Sequence, residues 1–481
     1  MSALVNKTKQ YISSLELGWS ELFLALGFLF SVPYYAFAWK FMVTTDPADV
    51  LFKPWMIIVT MVGLVSCWGI YFYLEAKKGN LKNNAFLWVY LFFAIFGIIT
   101  VLVQPSHSEI LVEARFVNDI SHQYYPGIEV GDLVPVVTDI SATHKLFFAC
   151  ASFVITTVFY IIYMIFPKRV KSMNFLILVG VIIFIFLLVL TGYSYITEYA
   201  NYGPFLKALF SGDIEGVYEY SVCSFVVHRV PYGACMMMGL MFALLLHSYT
   251  EKWYWYLPAG YCLINMVFSW CKTAIAFSIV VVLLYLIYRL FATFKNHKKR
   301  NIILSSIYGG IVFILLVLVT VSTATEGKVI PQIYKLLSSF TDNRTINTRT
   351  FIWDNIIQRL NEGWWAIGRG FGTHNYMLYP MNLVNGDDVC PSHSSYFAVL
   401  GMGGIITLLA YIALHIYYGY IFYQCFKFDK YKTIGLSVGV VGFFMYSFTE
   451  GVNYLILVFM FPMFLYYHLI KRGVITKEAN A

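Results

Sequence analysis

Five basic residues, Arg229, Lys272, Arg344, Arg349 and Arg369, stand close to apolar runs and apart from the lysine clusters that punctuate the rest of the chain. Arginine presents a planar fork of donors that grips phosphate bidentately, and lysine adds a compact point charge. His393 follows Asp387, Asp388, Cys390 and Pro391, where an imidazole could accept a proton from a hydroxyl near neutral pH. The run Gly-Arg-Gly-Phe-Gly at 368–372, with Gly370 at its centre, permits close approach of backbone to an anion. Glu450, within Ser-Phe-Thr-Glu-Gly, is an acidic candidate. Several cations beside one base suit a lipid diphosphate whose tail lies among helices, although an anion transporter would carry similar charges. Each residue also has a plainer role: Arg349 can snorkel to lipid phosphates, Arg229 can flank a span, and His393 can satisfy a carbonyl. His374, His393 and the two aspartates lack the ligand spacing of a metal centre, and no P-loop or Rossmann signature is present. No metal and no cofactor is therefore expected.

The elements that must position these residues are set by composition. With 59% hydrophobic and 12% charged residues, the chain cannot cover a water-facing surface, for which about a quarter charged is usual. Its mean hydropathy is +0.69. Apolar runs of about twenty residues recur along it, each long enough to cross a bilayer. The fold class expected is all-α: a polytopic membrane helix bundle, one domain over 1–481, with about twelve transmembrane helices and one large outer loop containing short helices. The spans fall near 18–42, 53–74, 84–104, 145–166, 173–197, 232–250, 253–271, 273–293, 302–322, 396–422, 433–449 and 452–470. The seventh and eighth are the hardest pair to separate.

Charge sets the orientation. Lys77, Lys78 and Lys82, then Lys168, Arg169 and Lys171, then Lys298, Lys299 and Arg300 mark cytoplasmic loops, and both termini join that side. The opposite loops are acidic or balanced, as in 105–144 with Glu109, Glu113 and Asp119. The net charge of +8 is thus a topology signal and gives no reason to expect nucleic acid. The cysteines fall mostly within spans as small apolar residues, and whether Cys223 pairs with Cys390 stays open.

The largest outer loop, 323–395, is long enough to be functional. Asn347 or Thr348 can cap a helix starting near Arg349, which places Arg349, Ile352, Trp353, Ile356 and Leu360 on one face. That helix is expected along the outer interface with Trp353 at headgroup depth.

Three stretches together, Arg349 to Trp353, Gly368 to Gly372, and His393-Ser-Ser-Tyr396 entering a span with Gly401, Gly403 and Gly404, resemble the O-antigen ligase and Wzy polymerase superfamily. Ser269 with Lys272 approximates the family's mid-chain Ser-Arg, and Arg229 stands where members place an arginine before a span. Ser394 replaces the usual asparagine after the histidine, and lysine replaces the mid-chain arginine. The resemblance implies a metal-independent glycosyltransferase of the bacterial inner membrane, acting at the outer leaflet on undecaprenyl-diphosphate-linked oligosaccharide. His393 and Arg349 would be catalytic; Arg229, Lys272, Arg344, Arg369, Trp353, Gly370 and Glu450 would bind diphosphate or sugar. A polymerase of O-antigen or capsule repeats, surrounded by membrane lipids and paired with a chain-length regulator, is the reading preferred. A ligase transferring glycan to lipid A-core and a polysaccharide flippase are the alternatives.

Overall fold

In lipid every backbone N–H and C=O must be satisfied within the chain, so long apolar runs fold as helices. The computed structural model shows a polytopic helical membrane protein. It describes residues 54–79, 85–103, 107–113, 133–139, 170–226, 229–293, 317–326, 328–329, 363–368, 394–449 and 453–476, with single positions between 19 and 30, 142 and 153, 302 and 314, and 334 and 361. In chain order the elements are α1 (Pro54–Lys77), α2 (Ala85–Leu102), β1 (His107–Glu113), β2 (Leu133–Asp139), α3 (Phe175–Thr197), α4 (Tyr199–Ser211), α5 (Ile214–Glu219), α6 (Arg229–Thr250), α7 (Tyr256–Ser269), α8 (Lys272–Thr293), α9 (Ser395–Phe428), α10 (Lys430–Thr449) and α11 (Asn453–Lys471). Among the described residues five helices are long and apolar enough to span: Ile58–Lys77, Phe175–Thr197, Arg229–Thr250, Lys272–Ala292 and Ser395–Phe428. The expected count of about twelve reaches into residues outside that description. The seventh expected span is α7, only 14 residues, or about 21 Å of helix against a hydrocarbon core of about 30 Å.

The 105–144 loop, expected on the outer side, holds an element that its charge did not announce. β1 and β2 form an antiparallel pair, with Ile110 opposite Val136 and Leu111 opposite Pro135. Alternating Ile110, Val112, Val134 and Val136 supply β-branched residues, and a two-stranded sheet has only edge strands, where a proline is tolerated.

The backbone divides into two compact units. The first comprises 1–175, 345–421 and 447–478. Here α1 buries Leu64, Trp68 and Tyr71 and exposes Ile58, Val59, Val62 and Val65. In water such a stripe would be a liability; in a bilayer it is the lipid-facing side. Phe72 of α1 stacks on Tyr90 of α2 at 6.2 Å. At the end of α1 the buried Glu75 is paired with Lys78 (3.1 Å), which also donates to the Ser20 hydroxyl (2.7 Å).

The second unit comprises 176–344, 422–446 and 479–481. Its centre is α6, hydrophobic and buried on nearly every side, as a helix surrounded by other helices must be. Leu187 of α3 and Cys262 of α7 crowd the space above Gly239. Tyr195 and Tyr232 both donate to the side-chain oxygen of the fully buried Asn265, at 3.2 and 3.3 Å, which joins α3, α6 and α7 by a satisfied polar contact. Toward its C-terminus, α6 is joined to α8 by His247 Nδ1 and the Tyr285 hydroxyl (2.5 Å) and to α10 by Lys432, which donates to the Tyr249 carbonyl (2.9 Å).

Candidate functional site

The second unit brings Arg229 and Lys272 together. Arg229 opens α6 and Lys272 opens α8, so each cation sits where the helix dipole is already positive and where an anion is favoured. The close approach of these helix starts has a steric origin. A Cβ on Gly233 would lie 2.4 Å from Cys271 Cβ and 3.2 Å from Ser269 Oγ, so only a glycine lets α6 lie against the α7–α8 turn. That turn is sharp: Trp270 takes a left-handed conformation (φ 48°), uncommon for a bulky residue. Ser269 is part of its scaffold. Its hydroxyl donates to the Met266 carbonyl (2.6 Å) and accepts from the Cys271 N–H (3.3 Å), a closing role for α7.

Tyr218 of α5 provides the surface on which both cations rest. The Arg229 guanidinium carbon lies 4.2 Å from the Tyr218 ring centroid and the Lys272 Nζ 5.1 Å from it. The two charges therefore cannot be further apart than the sum of those distances. Tyr218 is held there by α4 and α5. Asp213 caps α5 by accepting from the Gly216 N–H (3.1 Å), and Val217 is buried with Phe205, Ala208 and Trp270. Leu209, Tyr220, Phe268 and Ile275 pack around the same cluster, so the ring next to Val217 has a firm backing.

The segment leading into Arg229 is pinned by Glu198. Its carboxylate accepts from the backbone N–H groups of Cys223 (3.3 Å) and Ser224 (2.9 Å) and from the Ser194 hydroxyl (2.9 Å). Ser224, like Trp270, is left-handed (φ 59°), and its hydroxyl donates to the Leu190 carbonyl (2.6 Å). The Val222 N–H donates to Phe268 O (2.9 Å), tying this segment to the end of α7. Two non-glycine residues in a sparsely populated conformation, each shortly before a cation, are the kind of strain that collects at functional sites. Cys223 is a free thiol. Its pKa is pushed up to about 11 by burial and by the Glu198 charge, with Arg229 opposing.

In the first unit the loop features acquire different roles. Ile356 and Leu360 are buried with Leu400 of α9, and Trp353 stacks flat on Phe397 at 4.8 Å and 4°. The expected apolar face thus meets α9 at Phe397, Leu400 and Leu408. Gly368 enters a break in α9. Gly404 has φ 64° and ψ −166°, a region open essentially to glycine alone. The Ile405 N–H donates to Trp365 O (2.8 Å) across the break. A Cβ on Gly368 would lie 2.4 Å from Gly404 N, and one on Gly404 the same distance from Ala366 O. Gly368 thus serves backbone-to-backbone packing, while the rest of the run in which anion binding was expected, 369–372, lies outside the described residues. Arg344, Arg349, Arg369, Gly370, His393 and Glu450 lie outside the described residues. Ser394, next to His393, is buried and its carbonyl accepts from the Ala398 N–H (2.9 Å) at the start of α9.

Tyr218 and Glu198 are the residues that spacing did not reveal. Neither belongs to a motif, and their contacts cross long stretches of sequence. Among the described residues no group of histidine, cysteine or carboxylate side chains has the arrangement of a metal centre. Residues 234–412 match the family model described as Wzy_C, O-antigen ligase, which supports the O-antigen ligase/Wzy superfamily for this chain. The match takes in Lys272, Arg349 and His393 and leaves out Arg229 and Glu450. No curated protein and no solved structure matches the chain.

Proposed function

We propose, with the superfamily match as premise, that this membrane protein is a polymerase joining undecaprenyl-diphosphate-linked oligosaccharide repeats into a surface polysaccharide. The observation that carries the reading is the pair of cations at two helix N-termini over Tyr218. Two cations held this close suit an anion with more than one charged group, and diphosphate is such an anion. In the reaction an acceptor hydroxyl attacks the anomeric carbon of the donor sugar. A C–O bond forms there, the bond to the diphosphate oxygen breaks, and undecaprenyl diphosphate leaves with the electron pair. Arg229 and Lys272 would stabilise that developing charge, and donors fixed in advance are the effective kind. By resemblance, Arg349 assists and His393 takes the hydroxyl proton, giving general-base help of about 10²–10⁴ in rate. Arg344, Arg369, Trp353, Gly370 and Glu450 would contact the glycan or the diphosphate. The protein would work at the outer leaflet of a bacterial inner membrane, with both termini cytoplasmic.

Purified protein given the lipid-linked repeat should extend it into a ladder without nucleotide sugar or added metal. Arg349→Ala, His393→Ala and Arg229→Ala should each remove the ladder while leaving the level of membrane protein unchanged. Normal polymerisation by all three variants would sink the proposal. The description of the matching family favours a second reading, ligase. The fate of the product separates the two: it stays on the carrier lipid for a polymerase and moves to lipid A-core for a ligase.

A further inference from the structure

We propose that the end of the second unit opposite the Arg229–Lys272 corner is a docking surface for anionic phospholipid headgroups. Lys252, Lys427 and Lys430 receive the lipid phosphates among the exposed rings of Trp253, Tyr423 and Tyr431. Three connections define this end. Lys432 at the start of α10 donates to the Tyr249 carbonyl near the end of α6 (2.9 Å). Arg289 near the end of α8 lies 3.9 Å from Glu251, just beyond α6. The last turn of α9 runs through Asp429 directly into α10. The four helix ends therefore share one rim, and the 22 residues of α6 place it about 33 Å from Arg229.

Charge at this rim is one-sided. Among the described residues, Lys252, Arg289, Lys427, Lys430 and Lys432 stand against Glu251 and Asp429 alone. The Asp429 carboxylate accepts from the Lys432 N–H (3.0 Å) as the cap of α10. At the other end Lys207, Arg229 and Lys272 stand against Glu198, Asp213, Glu215 and Glu219, so the positive excess belongs to this rim. Lys252, Lys427 and Lys430 are exposed, as are Trp253, Tyr423 and Tyr431. The Lys427 Nζ lies 4.3 Å from the Tyr423 ring centroid, and the Lys430 Nζ 4.8 Å from that of Tyr431. Rings with a polar tip settle at headgroup depth, and a lysine stem lying along one is carried to the phosphate layer. Trp253 is set by a single 3₁₀ turn, 253–255, which the Trp255 indole pins by donating to the Thr250 hydroxyl (2.9 Å). Cations alone would suit any anion. Cations set among exposed rings at the ends of spanning helices suit one whose phosphate is joined to acyl chains.

The test is native mass spectrometry of the full detergent-solubilised chain, titrated with dioleoyl phosphatidylglycerol or with dioleoyl phosphatidylcholine. These lipids share acyl chains and differ in net charge. Phosphatidylglycerol should bind about tenfold more tightly, through three lysines beside an anionic headgroup. Lys252→Gln, Lys427→Gln and Lys430→Gln combined should bring the two lipids within about twofold of each other. Phosphatidylcholine binding equal to the parent's shows that the triple variant is folded. Lys207→Gln, an exposed lysine at the other end, should leave the preference within about twofold of the parent's. Rising salt should shrink the preference, because exposed charges are screened. Equal binding of the two lipids by the parent, an unchanged preference in the triple variant, or an equal loss in Lys207→Gln overturns the proposal. So does displacement of phosphatidylglycerol by excess inorganic phosphate, which would make the rim a site for phosphate as such.

Discussion

Two places in this protein look alike in sequence, each a cation or glycine placed just before a helix, and they are built on opposite principles. At the 363–368 segment and the break in α9, backbone meets backbone because side chains are missing at Gly368, Gly403 and Gly404. At the Arg229–Lys272 corner, side chains are brought together and held on a tyrosine. The first is a joint whose polar groups are consumed: Trp365 O receives the Ile405 N–H, and Trp364 O receives the Gly368 N–H (2.7 Å). The second gathers two positive helix ends and two cations around one tyrosine ring. Gly368 is thus spent on the joint, and the rest of its glycine-rich run, 369–372, lies outside the described residues.

The sharpest way to break the comparison is Gly404→Ala. A non-glycine residue at φ 64°, ψ −166° costs about 1–3 kcal/mol, and a Cβ 2.4 Å from Ala366 O adds overpacking of about 1–3 kcal/mol. The joint should open, and limited proteolysis should cut within 361–368 while the 205–225 region stays protected. Unchanged protection at 361–368 would show that the joint is not what holds this loop.

Next in size is the loss of either cation. Removing one charged donor to phosphate costs about 1.5–3 kcal/mol, or about 10- to 100-fold in pyrophosphate affinity. Arg229→Lys keeps the charge but loses the bidentate fork, so its loss should be smaller and its salt dependence should match the parent. Equal losses for Arg229→Ala and Arg229→Lys would mean that fork geometry, not charge, governs the corner.

Much of the architecture was legible because lipid imposes simple rules. Expected spans at 53–74, 84–104, 173–197 and 396–422 find α1, α2, α3 and α9 close to those limits. The amphipathic face through Trp353, Ile356 and Leu360 was also readable, although periodicity gives a face and not its partner; Phe397 and Leu400 supply that. The β1–β2 hairpin was hidden because its loop was judged by charge, while the strands depend on pairing across a gap of some twenty residues. Arg229 and Lys272 were visible as isolated cations. Tyr218 and Glu198 were not, since each acquires its role from residues distant in the chain: Lys272 for the ring, Ser224 for the carboxylate. The left-handed turns at Ser224 and Trp270 leave no trace in composition, because neither residue type favours that conformation.

The smallest effect tests whether the corner's charges act as placed. The Cys223 thiol is pushed up from its usual value of 9.0 to about 11, by burial first, then by Glu198, with Arg229 pulling the other way. At neutral pH its thiolate fraction is therefore about a hundredfold below that of an ordinary cysteine, since each unit of pKa is a factor of ten. Alkylation by iodoacetamide, read at the Cys223 peptide by mass spectrometry across pH 7 to about 11, should be slow and rise late. The two variants then move the midpoint in opposite directions. Glu198→Gln removes a negative charge that disfavours thiolate, so the midpoint should fall. Arg229→Ala removes a positive charge that favours thiolate, so it should rise. Burial alone predicts that neither variant shifts the profile. Movement of both midpoints in the same direction would mean that the substitutions change access to Cys223 more than they change its field.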